Sequence, residues 1–177
     1  MAKVLWHVSM SLDGFIAGVD DDMGWMAGYA LPEASARDIV EHIGALVIGG
    51  RTYVLARTAD GRPYGGAFNG PMFVPTRQNP QSAAPGFTFV QDGLAAALEL
   101  ASAAAGEKDV VVFGAKTAAR CMEMNLIDEV LVHVLPVLLG DGVRMFEHQG
   151  GTLRRLGRIG LSSSPDVVDL RFRVHKG

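Results

Sequence analysis

The sequence predicts an α/β protein built on a mixed, mainly parallel sheet, and three observations lead there. Short apolar runs at residues 45–48 and 110–113 suit strands buried on both faces. Segments with helical spacing of apolar residues lie between the early runs, at 32–43, 92–105 and 115–126. The chain then closes on two runs, 152–162 and 167–175, that read as an antiparallel hairpin about a Ser-Ser-Pro-Asp turn. Helices between strands early and a hairpin late give an α/β sandwich of roughly eight strands.

In chain order, residues 3–9 read as the first strand, and Asp13-Gly14 as the turn after it. Residues 15–25 form a long acidic loop; Asp20, Asp21 and Asp22 lack the spacing and terminal glutamate of a calcium loop and read as a solvated tip. Residues 32–43 follow as a helix, with Pro32 near its start, Ala36, Ile39, Val40 and Ile43 as its buried stripe, and Gly44 as its stop. Glu33 projects from the edge of that stripe, either toward a pocket or to Arg37 one turn on. The strand at 45–48 runs into Gly49-Gly50-Arg51-Thr52. A third strand at 71–74 ends in Pro75-Thr76-Arg77, a fourth covers 87–90, and Asp92 is the expected cap of an alanine-rich helix. The fifth strand, 110–113, passes over Gly114 into a helix carrying Ala115, Lys116 and Thr117. The sixth is 129–135. In the final strand Val168, Leu170, Phe172 and Val174 alternate with Asp169, Arg171, Arg173 and His175, predicting one dry and one wet face.

Composition bounds the function. At 177 residues, with 49% hydrophobic and 20% charged residues, the chain reads as one globular domain. A net charge of −3 gives no electrostatic case for nucleic acid or an anionic membrane. The N-terminus lacks a secretory signal, and the run 130–139 is too short to span a bilayer, so a cytoplasmic protein is expected. Cys121 is the only cysteine, which excludes disulfide scaffolds and cysteine-built metal sites.

The chemistry-bearing pattern is a strand end that turns over glycine into polar residues, seen at Gly49–Thr52 and Gly114–Thr117, with Thr76-Arg77 as a third polar strand end. Glycine lets a backbone approach a phosphate, a helix N-terminus offers N–H groups and a positive dipole end, and Arg51, Arg77 and Lys116 supply charge. The bland alternative is a strand–helix connection that needs a small residue for packing. Neither GxGxxG nor GxxxxGK[ST] is present, so a Rossmann dehydrogenase and a P-loop NTPase are both unsupported.

The segments SMSLDGFIAG, GGRTY and VVVFGAKTAARCMEMNLIDEVLVHVLPVLLGDGVRMF together resemble the dihydrofolate reductase-like superfamily. Within it they are most similar to the RibD-type C-terminal reductase branch of riboflavin biosynthesis, over residues 3–173. The resemblance implies an NADPH-dependent reductase with a three-layer αβα sandwich, an eight-stranded sheet and a homodimeric state. It assigns the cofactor pyrophosphate to Gly114, Ala115, Lys116 and Thr117, and the adenosine phosphate end to Gly49, Gly50, Arg51, Thr52, Thr76 and Arg77. It assigns the nicotinamide to Ile16, Ala17 and the loop with Trp25, and the substrate to a place across from the helix starting near Pro32, with Trp25 as a wall of its pocket. Alanine stands at 115 where the family usually has a second glycine, and selection of the phosphate falls to Arg51 or Arg77.

The implied reaction is hydride transfer to an electron-poor C=N or C=O of a small-molecule heterocycle or open-chain sugar, without a preceding deaminase domain and without metal. Asp13 and Glu33 are the candidate carboxylates for the accompanying proton; an Asp-Gly turn is the competing role for Asp13. His133 reads as a satisfied core or subunit-contact histidine. Two alternatives stand beside this: dihydrofolate reduction, which needs a pterin-facing acid for which Glu33 is the near match, and a nucleotide-binding protein without catalysis.

Overall fold

The computed structural model describes residues 3–29, 37, 39–58, 61–78, 83–147, 150–151 and 153–176. Its strands are β1 (Val4–Ser11), β2 (Phe15–Ala17), β3 (Ile43–Ile48), β4 (Met72–Pro75), β5 (Phe87–Val90), β6 (Asp109–Phe113), β7 (Glu129–Leu135), β8 (Val143–Arg144), β9 (Leu156–Ser163) and β10 (Val168–Val174). Three α-helices are bounded within the described residues: α1 (Gly50–Ala56), α2 (Leu94–Ala105) and α3 (Ala115–Glu123). Eight strands form one sheet in the order β5-β4-β3-β6-β1-β7-β10-β9, and β2 pairs with β8 in a small second sheet. The pairs β5–β4, β4–β3, β3–β6 and β1–β7 are parallel, while β7–β10 and β10–β9 are antiparallel. The predicted fold class is therefore present: a mixed, mainly parallel sheet with a closing hairpin. Among the described residues no helix is long and apolar enough to cross a membrane.

The chain packs as two compact units, Met1–Val4 with Leu31–Thr117, and Leu5–Ala30 with Ala118–Gly177. In the first, β3 is buried along almost its whole length, as is the centre of β6, which explains their unbroken apolar runs. Helix α2 buries Leu94, Ala97, Leu98, Ala101 and Ala105, one stripe at helical spacing. Its alanines permit close approach: a Cβ on Gly44 would sit 2.5 Å from the Ala105 Cα. That contact corrects the sequence reading of Gly44 as a helix stop. Residues 37 and 39–41 are helical, but β3 begins at Ile43, so Gly44 belongs to the strand and is glycine to admit α2. Two smaller corrections follow. The residue at the N-cap of α2 is Gly93, not Asp92, and no side chain caps it. Helix α1 was not foreseen, because its short polar GRTY start carries no apolar period.

In the second unit, β7 pairs with β1 and β10, and residues on both of its faces are buried. One carries Val130 and Val132; the other carries Glu129 and His133, both 3% exposed. Buried polar groups need partners, and β10 supplies them. Arg171 donates through Nε and Nη2 to the Glu129 Oε2, each at 2.7 Å. Asp169 Oδ1 lies 2.5 Å from His133 Nδ1, and His133 Nε2 lies 2.6 Å from Nε2 of the buried His7 on β1. The predicted wet face of β10 is thus turned toward buried polar groups. The predicted dry face is dry only in part: Val174 is buried, Leu170 and Phe172 are half-buried, and Val168 is exposed.

Candidate functional site

The first unit brings the predicted phosphate-holding residues to one edge. Strands β4, β3 and β6 are parallel neighbours, and the register Ile48↔Phe113 places Gly49 and Gly114 side by side just past the strand ends. The Gly49 N–H donates to the Phe113 carbonyl at 3.1 Å. Each turn then packs on the other through a threonine. A Cβ on Gly49 would lie 2.4 Å from Thr117 Oγ1, and a Cβ on Gly114 2.7 Å from Thr52 Oγ1. Gly114 also has φ +99°, a conformation that side chains strongly disfavour. A side chain at either site would have to displace the facing threonine, whereas Gly50 faces open space. Thr76 follows β4, takes the Val90 carbonyl through its N–H at 2.9 Å, and accepts the Gln78 N–H on its hydroxyl at 3.1 Å. Arg51, Arg77 and Lys116 are exposed along the same edge.

These features fit the phosphates of a dinucleotide. The first turn of α3, starting at Ala115, carries N–H groups that lack intrahelical acceptors, and the helix dipole adds partial positive charge there. The small residues at Gly114 and Ala115 let an anion reach that backbone. Tyr64, which the sequence did not single out, sets its ring 5.5 Å from that of Phe113, the residue before Gly114; burial pushes its phenol pKa up. Its place within GRPYGGAFNG reads only as a loop. Cys121 on α3 is fully buried, and burial pushes its thiol up to about 12, which makes it an inert packing group.

The second unit carries Asp13, Ile16, Ala17 and Trp25. The Asp13 carboxylate accepts hydrogen bonds from Ser11 Oγ (2.6 Å), the Leu139 N–H (3.1 Å) and the Gly140 N–H (2.7 Å). The Ser11 bond first, then the two amides, favour the anion and lower its pKa to about 2. Three donors thus hold Asp13 as an anion, which agrees with the turn role set beside the proton-donor one in the sequence. Ser11, which anchors it, was overlooked; the signal was a hydroxyl two residues before an Asp-Gly turn. Ala17 is buried and Ile16 half-buried within β2. Trp25 sits in a short 3₁₀ turn, and its indole N–H is buried without an acceptor among the described residues. Such a group costs about 1–3 kcal/mol while unmet, a penalty that an acceptor on a ligand removes. In the loop before it, Asp22 Oδ1 accepts the Gly24 N–H at 2.9 Å. Glu33 lies outside the described residues.

Comparisons with known proteins agree on the fold. The Bacillus subtilis protein YwjB is 23% identical over 171 residues, covering 96% of this chain and 97% of its own. A solved protein from Shewanella sp. PV-4, named for riboflavin biosynthesis, superposes with a TM-score of 0.80 at 21% identity, covering 99% of this chain and all of that one. The Thermotoga maritima diaminohydroxyphosphoribosylaminopyrimidine deaminase/5-amino-6-(5-phosphoribosylamino)uracil reductase gives 0.73 at 14% identity, over 98% of this chain but 57% of that longer one. The yeast riboflavin biosynthesis reductase Rib7 gives 0.63 at 12% identity, covering 99% of this chain and 90% of that one. The family model of the RibD C-terminal domain matches residues 2–162, and by that match this chain belongs to the RibD C-terminal domain family.

Proposed function

We propose that the protein is an NADPH-dependent reductase acting on a small heterocycle of the 5-amino-6-(5-phosphoribosylamino)uracil type. The observation that carries the reading is the pair of interlocked glycine turns at the ends of β3 and β6, where an added Cβ at Gly49 or Gly114 would collide with a threonine hydroxyl of the opposite turn. That interlock sets the Gly114 turn directly before the first turn of α3, whose N–H groups can bind an anion. Family membership and the reductases named above add support.

When bound, the nicotinamide would supply the hydride. The chain's part is to hold and orient. Gly114, Ala115, Lys116 and Thr117 hold the pyrophosphate, and Gly49, Gly50, Thr52 and Thr76 hold the adenosine end. Arg51 or Arg77 reads the additional phosphate that separates NADPH from NADH. The Ile16 side chain and the adjoining Ala17 backbone line the nicotinamide. The orphan N–H of Trp25 donates to a carbonyl of the substrate. With Asp13 ionised, the proton for the reduced atom comes from another group or from water.

Titration with NADPH and with NADH by calorimetry tests this. Micromolar NADPH binding, weaker NADH binding, and a preference reduced about ten-fold by Arg51→Ala or Arg77→Ala are expected. Absence of binding by either nucleotide would leave the turns as packing devices. A cytoplasmic homodimer completes the reading. Strand β9 is the edge of the sheet and exposes Leu156, Ile159 and Leu161, so a second copy pairing there would give a dimer mass in sedimentation that Leu161→Lys lowers.

A further inference from the structure

The Asp13 carboxylate joins separate backbone segments of the second unit. Its oxygens gather Ser11 Oγ and the N–H groups of Leu139 and Gly140. Ser11 is fully buried, and its hydroxyl also accepts the Phe15 N–H at 2.9 Å, so the link continues from the carboxylate into β2. Backbone bonds close both sides: the Leu12 N–H to the Val137 carbonyl, and the Met145 N–H to the Gly14 carbonyl, each at 2.8 Å. The segment so held presses on β2. A Cβ on Gly142 would meet the Ala17 carbonyl oxygen at 2.1 Å, and the Arg144 guanidinium stacks over the Phe15 ring at 4.6 Å. Phe15 pairs with Arg144 and Ala17 with Val143, so Ile16 is fixed from either side.

We propose that Asp13 is a positioning residue for the reductase reaction: its carboxylate locks the Leu139–Gly140 backbone to β2 and so sets the face that Ile16 and Ala17 present to the nicotinamide. This rests on the reductase reading above. The role needs an acceptor-only group. Asparagine keeps the shape, but its NH₂ would point a donor at a hydroxyl or an amide that is itself donating. The low pKa of the carboxylate has the same cause, since three donors converge on it.

The test uses the full chain with Asp13→Asn and, separately, Ser11→Ala, which removes only the hydroxyl link. Amide hydrogen exchange at Leu139 and Gly140 reads the clamp without any cofactor; calorimetry compares NADPH with 2′-phospho-ADP-ribose, which lacks the nicotinamide; and kcat and KM are measured on the substrate that turns over. Asp13→Asn should melt cooperatively, exchange those amides about ten-fold faster, bind NADPH about ten-fold more weakly and lower kcat by a similar factor, with the fragment's affinity kept within about two-fold. Unchanged exchange, or equal weakening of NADPH and fragment, overturns the proposal. So does undiminished NADPH binding by variants of a protein that binds it in wild-type form, and that outcome leaves the reductase reading standing. Wild-type protein that binds neither nucleotide nor fragment overturns both. Should Asp13→Asn fail to fold, Ser11→Ala carries the same comparison with the carboxylate in place.

Discussion

Acidifying the protein from pH 7 to pH 5 is expected to remove about 2 kcal/mol of stability through His7 alone. His7 is 5% exposed, and its ring faces His133 on β7, with Asp169 beyond that ring and Arg171 also on β10. Burial, then the charges of His133 and Arg171, lower its pKa from 6.5 to about 3. A group whose folded pKa lies below its unfolded one gives stability that is complete above the unfolded value and lost as pH falls toward the folded value. At this site the unfolded chain holds about half a proton at pH 6.5 and nearly a whole one at pH 5, while the folded chain holds almost none. The cost therefore steepens to about 1.4 kcal/mol per pH unit near pH 5, and any folded pKa below about 4 gives the same sum there. Asp13 titrates lower, between the ordinary carboxylate value and about 2, so its contribution does not enter this window.

Geometry adds to burial here: the contact between His7 Nε2 and His133 Nε2 needs one donor and one acceptor, so one of these two nitrogens carries no proton. Urea unfolding at pH 7, 6 and 5, followed by the fluorescence of the buried Trp6, measures the slope, with a constant m-value as the check. His7→Gln, whose amide nitrogen can take the place of Nε2, should lower the stability at pH 7 but flatten the slope by about 1 kcal/mol per pH unit below 6.5. A variant that keeps the wild-type slope would refute the assignment to His7.

Arg171→Ala takes the cation from the buried Glu129, and unfolding should become easier by about 3 kcal/mol, at the low end for a buried pair because Arg171 is itself 39% exposed. Replacing both residues, as Glu129→Gln with Arg171→Met, should recover most of that loss in the same urea assay. Gly44→Ala forces a methyl into the Ala105 backbone and should lower stability by about 1–3 kcal/mol, with a drop in melting temperature as the readout. An Ala105→Gly change made with it should recover part of the drop, because the Ala105 Cβ, 2.7 Å from the added methyl, is one of its clashing atoms.

Legibility in the sequence followed the physics of each feature. The buried strands β3 and β6 were readable because a strand covered on both faces has no polar alternation to confuse it. Gly44 misled because a glycine after an apolar helical pattern looks like a stop, and only the packing of α2 against it reveals the other use. The glycine turns could be named, but not their interlocking, since Thr52 and Thr117 meet Gly114 and Gly49 through register and not through spacing along the chain.

The hardest residues to read were those whose partners lie far away in sequence. Asp13 stands 126 residues before Leu139 and 127 before Gly140, and the same distance of 126 separates His7 from His133. An Asp-Gly pair by itself supports a turn first and leaves a general acid open. What decides between them is the number and kind of groups that converge on the carboxylate, and here all three are donors. Donors on every side make an anion that holds backbone; an apolar wall would have made an acid. The same count separates His133, with a partner on each ring nitrogen, from Trp25, whose indole N–H is buried and unmet. The satisfied group belongs to the fold, and the unsatisfied one is where a ligand has something to gain.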